Sequence, residues 1–280
     1  MHPVVDLSPA RASDAAAAPV VLLLHGQPGL AAEWYRVVEL LAATCRLIAP
    51  DRPGYDGRPE RVTDWLGNAD AAAALLTELG VETAVVLCFS WATGAALELA
   101  RRHPERVRGL VLVGSVGAPG SVTLSDRLIA LPGVLQLGRT LVGWTGPWIA
   151  DAIVRLARSR LRDEDMRAFR AVVGLWRERK AWRAAAAEQR YLVRDAPALE
   201  RHVGEVTVPV IVVAGTRDPY VPQASAAALA RTLPNGRLVE VDAGHLMTVE
   251  APAVVADAVR QLLEGVPDEP LAGPAAGPPG

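Results

Sequence analysis

The chain is poor in sulfur, aromatics and charge of one sign: its 280 residues hold two cysteines, two phenylalanines, a single lysine (Lys180) and a formal net charge of −2. A net charge this close to zero argues against nucleic acid or an anionic membrane surface as the main partner. Cys45 and Cys88 stand far apart and lack metal-ligand spacing. Both lie in or beside apolar runs, so buried thiols in a reducing compartment are expected. Long apolar runs are missing too: they are strand-sized, as in Val20–Leu24, and no transmembrane helix is expected. Residues 1–20 have no basic segment followed by a long apolar stretch, so no secretory signal is expected and the cytoplasm is the expected location. No metal or other cofactor is expected.

What is present is apolar residue in quantity, 51% of the chain, enough for a large core. Short apolar runs at Val20–Leu24, Arg46–Ala49, 84–88 and Val107–Val113 read as strands. Between them, Glu33–Ala43, Asp70–Leu79 and 93–102 have helical spacing. Such alternation predicts an α/β fold, a mostly parallel sheet flanked by helices. Residues 120–205 show no convincing strand and several helical faces, including 181–194. Strands resume at Val208–Ala214 and Arg237–Val241, with helices at Ala224–Thr232 and Ala253–Leu263. The expected organisation is a loose N-terminus or early edge strand over 1–18, a core formed by 19–119 and 206–265, an inserted helical cap over 120–205, and a disordered Pro/Gly-rich tail over 266–280. An insert between strands at their carboxyl ends would lie over the site, where open α/β sheets bind ligands.

Chemistry enters at Ser90. It ends the run Ala84-Val85-Val86-Leu87-Cys88-Phe89 and precedes a helix, the layout of a turn that pushes a serine Oγ above a sheet. A serine hydroxyl needs a base to activate it and an acid to orient that base. Asp218 and His245 each follow a strand, which puts them on loops at the same carboxyl edge of the sheet as Ser90. Alone, a serine after a strand is more often a helix cap, an aspartate before proline a turn former, and a histidine after Ala-Gly a loop residue. Their joint placement favours catalysis. The segment His25-Gly26-Gln27-Pro28-Gly29 follows the first strand. Two backbone N–H groups, of Gln27 and of Trp91, are the expected donors to an oxyanion, because Pro28 has no N–H.

Together these pieces resemble the α/β-hydrolase superfamily, serine-nucleophile branch with a helical cap, over residues 18–265. The resemblance rests on HGQPG, on Ala49-Pro50-Asp51-Arg52-Pro53-Gly54-Tyr55, on FSWATG, on GTRDPYVP and on AGHLMTVEAP. It implies Ser90 as nucleophile, His245 as base and then acid, Asp218 as orienter, and supporting roles for His25 and Asp51. Two departures stand out. Cys88 and Ala92 occupy positions that are glycine in the usual G-x-S-x-G elbow, and Asp56-Gly57-Arg58 follows Tyr55 where relatives often have Gly-x-Ser. Related haloalkane dehalogenases and epoxide hydrolases use an aspartate nucleophile, so Ser90 argues against both. Proline iminopeptidases share parts of the pattern, but their acidic amine-binding signature is not evident.

The substrate is read less directly. Trp144, Trp148, Trp176 and Trp182 lie in the insert, and core packing is their first explanation. The pocket residues expected are His25, Phe89, Trp148 and Trp176, with Phe89 and Trp91 walling the nucleophile and Gln27 adding a side-chain amide. The expected partner is a small molecule with an apolar portion, with no nucleic acid and no membrane; oligomeric state is not legible. Hydrolysis of a small ester is the leading expectation. C–C bond hydrolysis or a cofactor-free lyase or cyclase step is the alternative, and a ligand-binding module retaining the three residues is an alternative of another class.

Overall fold

The computed structural model describes residues 4–7, 18–134, 170, 174–175 and 178–265. The strands are β1 Val4–Leu7, β2 Val20–Leu24, β3 Arg46–Pro50, β4 Ala84–Phe89, β5 Val107–Val113, β6 Val210–Gly215 and β7 Gly236–Val241. They form one seven-stranded sheet in the order β1-β3-β2-β4-β5-β6-β7. Only β1 runs antiparallel, pairing with β3 at the edge; the other neighbours are parallel. The chain is thus an α/β protein built on a mostly parallel sheet.

Alternation along the strands divides the core into two layers, because successive side chains point to opposite faces. Leu22, Leu24, Val86, Cys88, Leu110 and Leu112 face the layer that holds Trp65, Leu76, Ala95 and Leu99 of helices α2 (Trp65–Glu78) and α3 (Ala92–Arg102). Val21, Leu23, Val85, Leu87, Val111 and Val113 face the other, with Val37, Leu41, Val255 and Val259 of α1 (Tyr35–Leu41) and α8 (Pro252–Glu264). Further helices with both ends among the described residues are α4 (Leu124–Ile129), α5 (Arg179–His202), α6 (Gln223–Thr232) and the single turn α7 (Met247–Glu250). Among the described residues, no helix is long and apolar enough to cross a membrane.

Several boundaries differ from the sequence reading, each for a local reason. Helix α2 begins at Trp65 and not Asp70, because the Asp64 side chain caps it by accepting from Gly67 N at 3.0 Å. The segment expected as one helix over Glu33–Ala43 is a 3₁₀ turn, Ala31–Trp34, followed by α1. Strand β6 starts after Pro209, which has no N–H for a ladder. Helix α5 runs beyond residue 194 to His202, with Pro197 inside it.

The strand order sets the position of the site. After β3 the chain crosses to β4 on the other side of β2, so the order reverses between β2 and β4. Crevices at such a reversal, at the carboxyl ends of strands, are where open α/β sheets bind ligands. Here Leu24 pairs with Cys88, so the His25–Gly29 turn and the Ser90 turn leave the sheet side by side.

Candidate active site

Ser90 stands at φ +53°, the sole non-glycine residue with positive φ among those described. An L-residue is held there only when its surroundings over-determine it. Ser90 N donates to Val113 O at 2.8 Å, and Ser90 O accepts from Thr93 Oγ1 at 2.8 Å and Thr93 N at 3.0 Å. The turn is therefore fixed by its backbone. The serine side chain does not cap α3; Oγ lies 3.0 Å from His245 Nε2. Cys88 and Ala92 are both fully buried, and their small side chains fit where the usual elbow has glycine.

His245 Nδ1 lies 2.7 Å from Asp218 Oδ2. The other oxygen, Oδ1, accepts from Tyr220 N at 2.8 Å and Val221 N at 3.0 Å, so the aspartate forms its own turn and presents the free oxygen to the histidine. Burial pushes the Asp218 carboxyl upward, but the His245 bond and charge and the two backbone donors outweigh it and hold the group below its ordinary value. Asp218 Oδ2 is placed to accept an Nδ1–H, and in that tautomer Nε2 faces Ser90 Oγ–H as its acceptor. The His245 ring rests against Phe89 at 5.0 Å and Tyr220 at 5.1 Å between centroids. Gly114, at φ +60°, leaves the room: a Cβ there would lie 3.0 Å from His245 Cε1. The structure thus brings together all three residues expected from the sequence.

The neighbouring turn is clamped from below. His25 O accepts from Arg52 Nε at 2.7 Å and Gly26 N donates to Glu33 Oε1 at 2.7 Å. Gly26 O accepts from Arg52 Nη2 at 2.7 Å, with His25 Nδ1 at 2.9 Å. His25 Nε2 accepts from Arg52 N at 2.9 Å, which puts the ring proton on Nδ1. Burial, then the charge of Arg52, lowers His25 well below its ordinary value, so it is a neutral ring. Burial raises Glu33 to about 8 despite the Gly26 bond and Arg52. Gly26 itself allows the turn to approach the nucleophile, since a Cβ there would meet Phe89 Cδ1 at 2.7 Å and Ser90 Cβ at 3.4 Å.

Two pocket expectations are corrected. His25 has no exposed surface and both its nitrogens are engaged, so it supports the turn and does not line a pocket. The Trp91 ring does not wall the nucleophile: it lies inside, 4.7 Å from the Arg52 guanidinium and 5.8 Å from Trp65, with Nε1 donating to Glu188 O at 3.0 Å. One N–H of the Gln27 side chain donates to Ala185 O at 2.6 Å. The Phe89 ring packs against His245, its centroid 5.0 Å away. Trp148 and Trp176 lie outside the described residues. Sequence reasoning missed Glu33, Glu188 and Tyr220. The only trace of Glu188 was a carboxylate directly after the run Ala184–Ala187.

A cavity of about 110 Å³ behind the turn is lined by Asp51, Arg52, Asn68 and Leu75 among others, but by none of Ser90, Asp218 and His245. Among the described residues, no group of three or more His, Cys, Asp and Glu side chains is placed to hold a metal ion.

The family model for the alpha/beta hydrolase fold matches residues 19–252. The chain belongs to the α/β-hydrolase family. Its relatives are hydrolases of several kinds. The pimeloyl-[acyl-carrier protein] methyl ester esterase of Aromatoleum aromaticum is 31% identical over 258 residues, which is 88% of this chain and 99% of that one. A 2-hydroxymuconate semialdehyde hydrolase from Pseudomonas sp. (strain CF600) is 42% identical over 110 residues, 37% of this chain; that match spans 38% of the relative's length. Among solved structures, a thermophilic esterase from Thermogutta terrifontis superimposes with a TM-score of 0.68 at 26% identity, covering 93% of this chain and 92% of that one. As an α/β hydrolase the protein is an enzyme.

Proposed function

We propose that this hydrolase cleaves a small, largely apolar carboxylic ester through an acyl-enzyme on Ser90. The observation that carries the reading is the continuous chain Ser90 Oγ–His245 Nε2 at 3.0 Å and His245 Nδ1–Asp218 Oδ2 at 2.7 Å, built on a serine at φ +53°. His245 takes the Ser90 proton as Oγ attacks the ester carbonyl, and Asp218 stabilises the imidazolium that results. His245 then gives that proton to the departing alkoxide. Water, deprotonated by His245 in turn, attacks the acyl-serine and releases the acid, and the proton returns to Ser90.

The tetrahedral intermediates need N–H donors, assigned in this reading to Gln27 and Trp91. Two features support the assignment. Neither N–H has a hydrogen-bond partner among the described residues. The Gly26–Gln27 peptide is trans with its carbonyl held by Arg52 and His25, so its N–H points the opposite way.

In the same reading, the helical segment of 120–205 forms the cap over the pocket, and the cytoplasm is the site of action, in keeping with two buried free thiols. The relative named as a pimeloyl-[acyl-carrier protein] methyl ester esterase favours ester cleavage over nearly the whole chain. C–C bond hydrolysis is the second reading, favoured by the shorter but more similar match to 2-hydroxymuconate semialdehyde hydrolase. A panel of p-nitrophenyl esters of increasing acyl length tests the first. Ser90→Ala should abolish turnover with an unchanged circular dichroism spectrum, and esterase activity surviving in that variant would refute it.

A further inference from the structure

The residues assigned to the oxyanion donors share a feature that the three reacting groups do not require. Both are tied by their side chains to one turn of α5. Gln27 Nε2 donates to Ala185 O at 2.6 Å, and Trp91 Nε1 donates to Glu188 O at 3.0 Å. The same turn sends the Glu188 carboxylate down to Arg52, at 2.5 Å from Nη1 and 3.4 Å from Nη2. Tyr55 OH donates to Glu188 Oε2 at 2.8 Å. The Arg52 and Glu188 side chains are 1% and 0% exposed, so this is an ion pair taken wholly out of water.

All five Arg52 N–H donors are used. Nε goes to His25 O, Nη2 to Gly26 O and Glu188 Oε2, and Nη1 to Glu188 Oε1 and Asn68 Oδ1. Two of them hold the carbonyls of successive peptides in the turn. The Gly26 carbonyl sets the direction of the Gln27 N–H, because a trans peptide carries C=O and N–H on opposite sides, and the His25 carbonyl holds the peptide before it. Glu188 supplies the counter-charge without which a guanidinium could not stay buried at that spot. Its carboxylate oxygens also fix the guanidinium plane.

We propose that Glu188 and Arg52 are positioning residues for the oxyanion site, and that the 185–188 turn of α5 is the element that sets it. This rests on the acyl-transfer reading above. Loss of the pair would release the turn and rotate the Gln27 N–H away from the developing oxyanion, while the ground-state pocket stays as it is. The loss should therefore fall on kcat and leave KM near its starting value, since only an interaction formed in the transition state is removed.

The test is the double substitution R52M/E188M, compared with Glu188→Gln. Breaking a buried pair from one side leaves an unpaired charge and destabilises, whereas replacing both partners by apolar side chains of similar volume is often neutral or better. Glu188→Gln should lower both Tm and kcat. The double variant should regain the Tm yet keep a kcat about 10²-fold below wild type, the scale of one lost oxyanion donor, with KM within about twofold. Affinity for an alkylboronic acid, which forms a tetrahedral serine adduct, should fall by the same factor as kcat. A double variant with recovered Tm and wild-type kcat would overturn the proposal. If its Tm does not recover, Arg52→Lys decides. A lysine keeps the charge opposite Glu188 but cannot reach both carbonyls, so kcat should still fall, and wild-type kcat there overturns the proposal. Ser90→Ala run in parallel separates the two levels. Ester turnover surviving in that variant removes the acyl-transfer reading itself, whereas its loss alongside an unaffected R52M/E188M removes the positioning role alone.

Discussion

Glu33→Gln should change how stability depends on pH. The Glu33 carboxyl is buried beneath the turn, accepts from Gly26 N at 2.7 Å, and is raised from its ordinary 4.5 to about 8, with burial as the leading cause. Between those two values the folded chain keeps a proton that the unfolded chain releases, so folding becomes less favourable as pH rises. The contribution is fully present below 4.5, declines through the interval, and is exhausted above about 8. At 1.36 kcal/mol for each pH unit of separation, the ceiling is about 5 kcal/mol. Water entering beside an ionised Glu33 would reduce this, and about 2–4 kcal/mol is expected. Glutamine retains an Oε1 acceptor for Gly26 N and cannot ionise. His25, lowered mainly by burial, acts with the opposite sign because the unfolded chain takes up its proton first, but it is common to both proteins. The assay is urea denaturation of wild type and variant at intervals from pH 5 to pH 9, read as the difference in unfolding free energy. The variant should gain on wild type from pH 5 to about pH 8 and level off above it. A difference that stays flat would show that Glu33 ionises normally, and the view of the turn as clamped from a dry interior would fail.

Further outcomes follow from the same geometry. Asp218→Asn should cost on the order of 10⁴-fold in kcat, because an amide favours the wrong His245 tautomer while the turn bonds to Tyr220 N and Val221 N persist; steady-state kinetics on the best ester checks it, and a loss below tenfold would contradict it. Gly26→Ala should lower kcat by about 10²-fold, since its Cβ would sit 2.7 Å from Phe89 Cδ1 and the turn must back away from Ser90; an unchanged kcat would show the approach to be looser than drawn. Leu22→Ala, at a position with no exposed surface in β2, should cost about 2–5 kcal/mol in urea denaturation with little change in KM; a cost under 1 kcal/mol would contradict the packing described.

The sheet was legible because most of its strands are apolar runs, and Ser90, Asp218 and His245 because each stands on the turn that follows a strand. Helix starts were less legible: Trp65 and Leu66 precede Gly67 and Asn68, which break the apolar pattern, and the Asp64 cap of α2 stands before that break. The support beneath the turn was hidden for a different reason. Arg52 and Glu188 are 136 residues apart, and the pairing is a property of tertiary packing that no local spacing encodes. His25 and Trp91 were misplaced for the same cause. A histidine and a tryptophan flanking reactive loops read as pocket walls in one dimension, whereas their nitrogens in fact satisfy buried backbone groups, Arg52 N and Glu188 O. Burial of Asp56 against Arg58 and Arg61 likewise makes the departure after Tyr55 a closed ionic turn, at 3.4 Å for each pair.

The most direct measurement is the mass of the enzyme trapped during turnover. Wild type is mixed with a p-nitrophenyl ester, quenched in acid within the burst, digested and mapped by mass spectrometry. One acyl group on the peptide carrying Ser90, absent in Ser90→Ala, is the expected result. Turnover with no acyl group on that peptide, or an equal label on the Ser90→Ala protein, would contradict nucleophilic attack by Ser90.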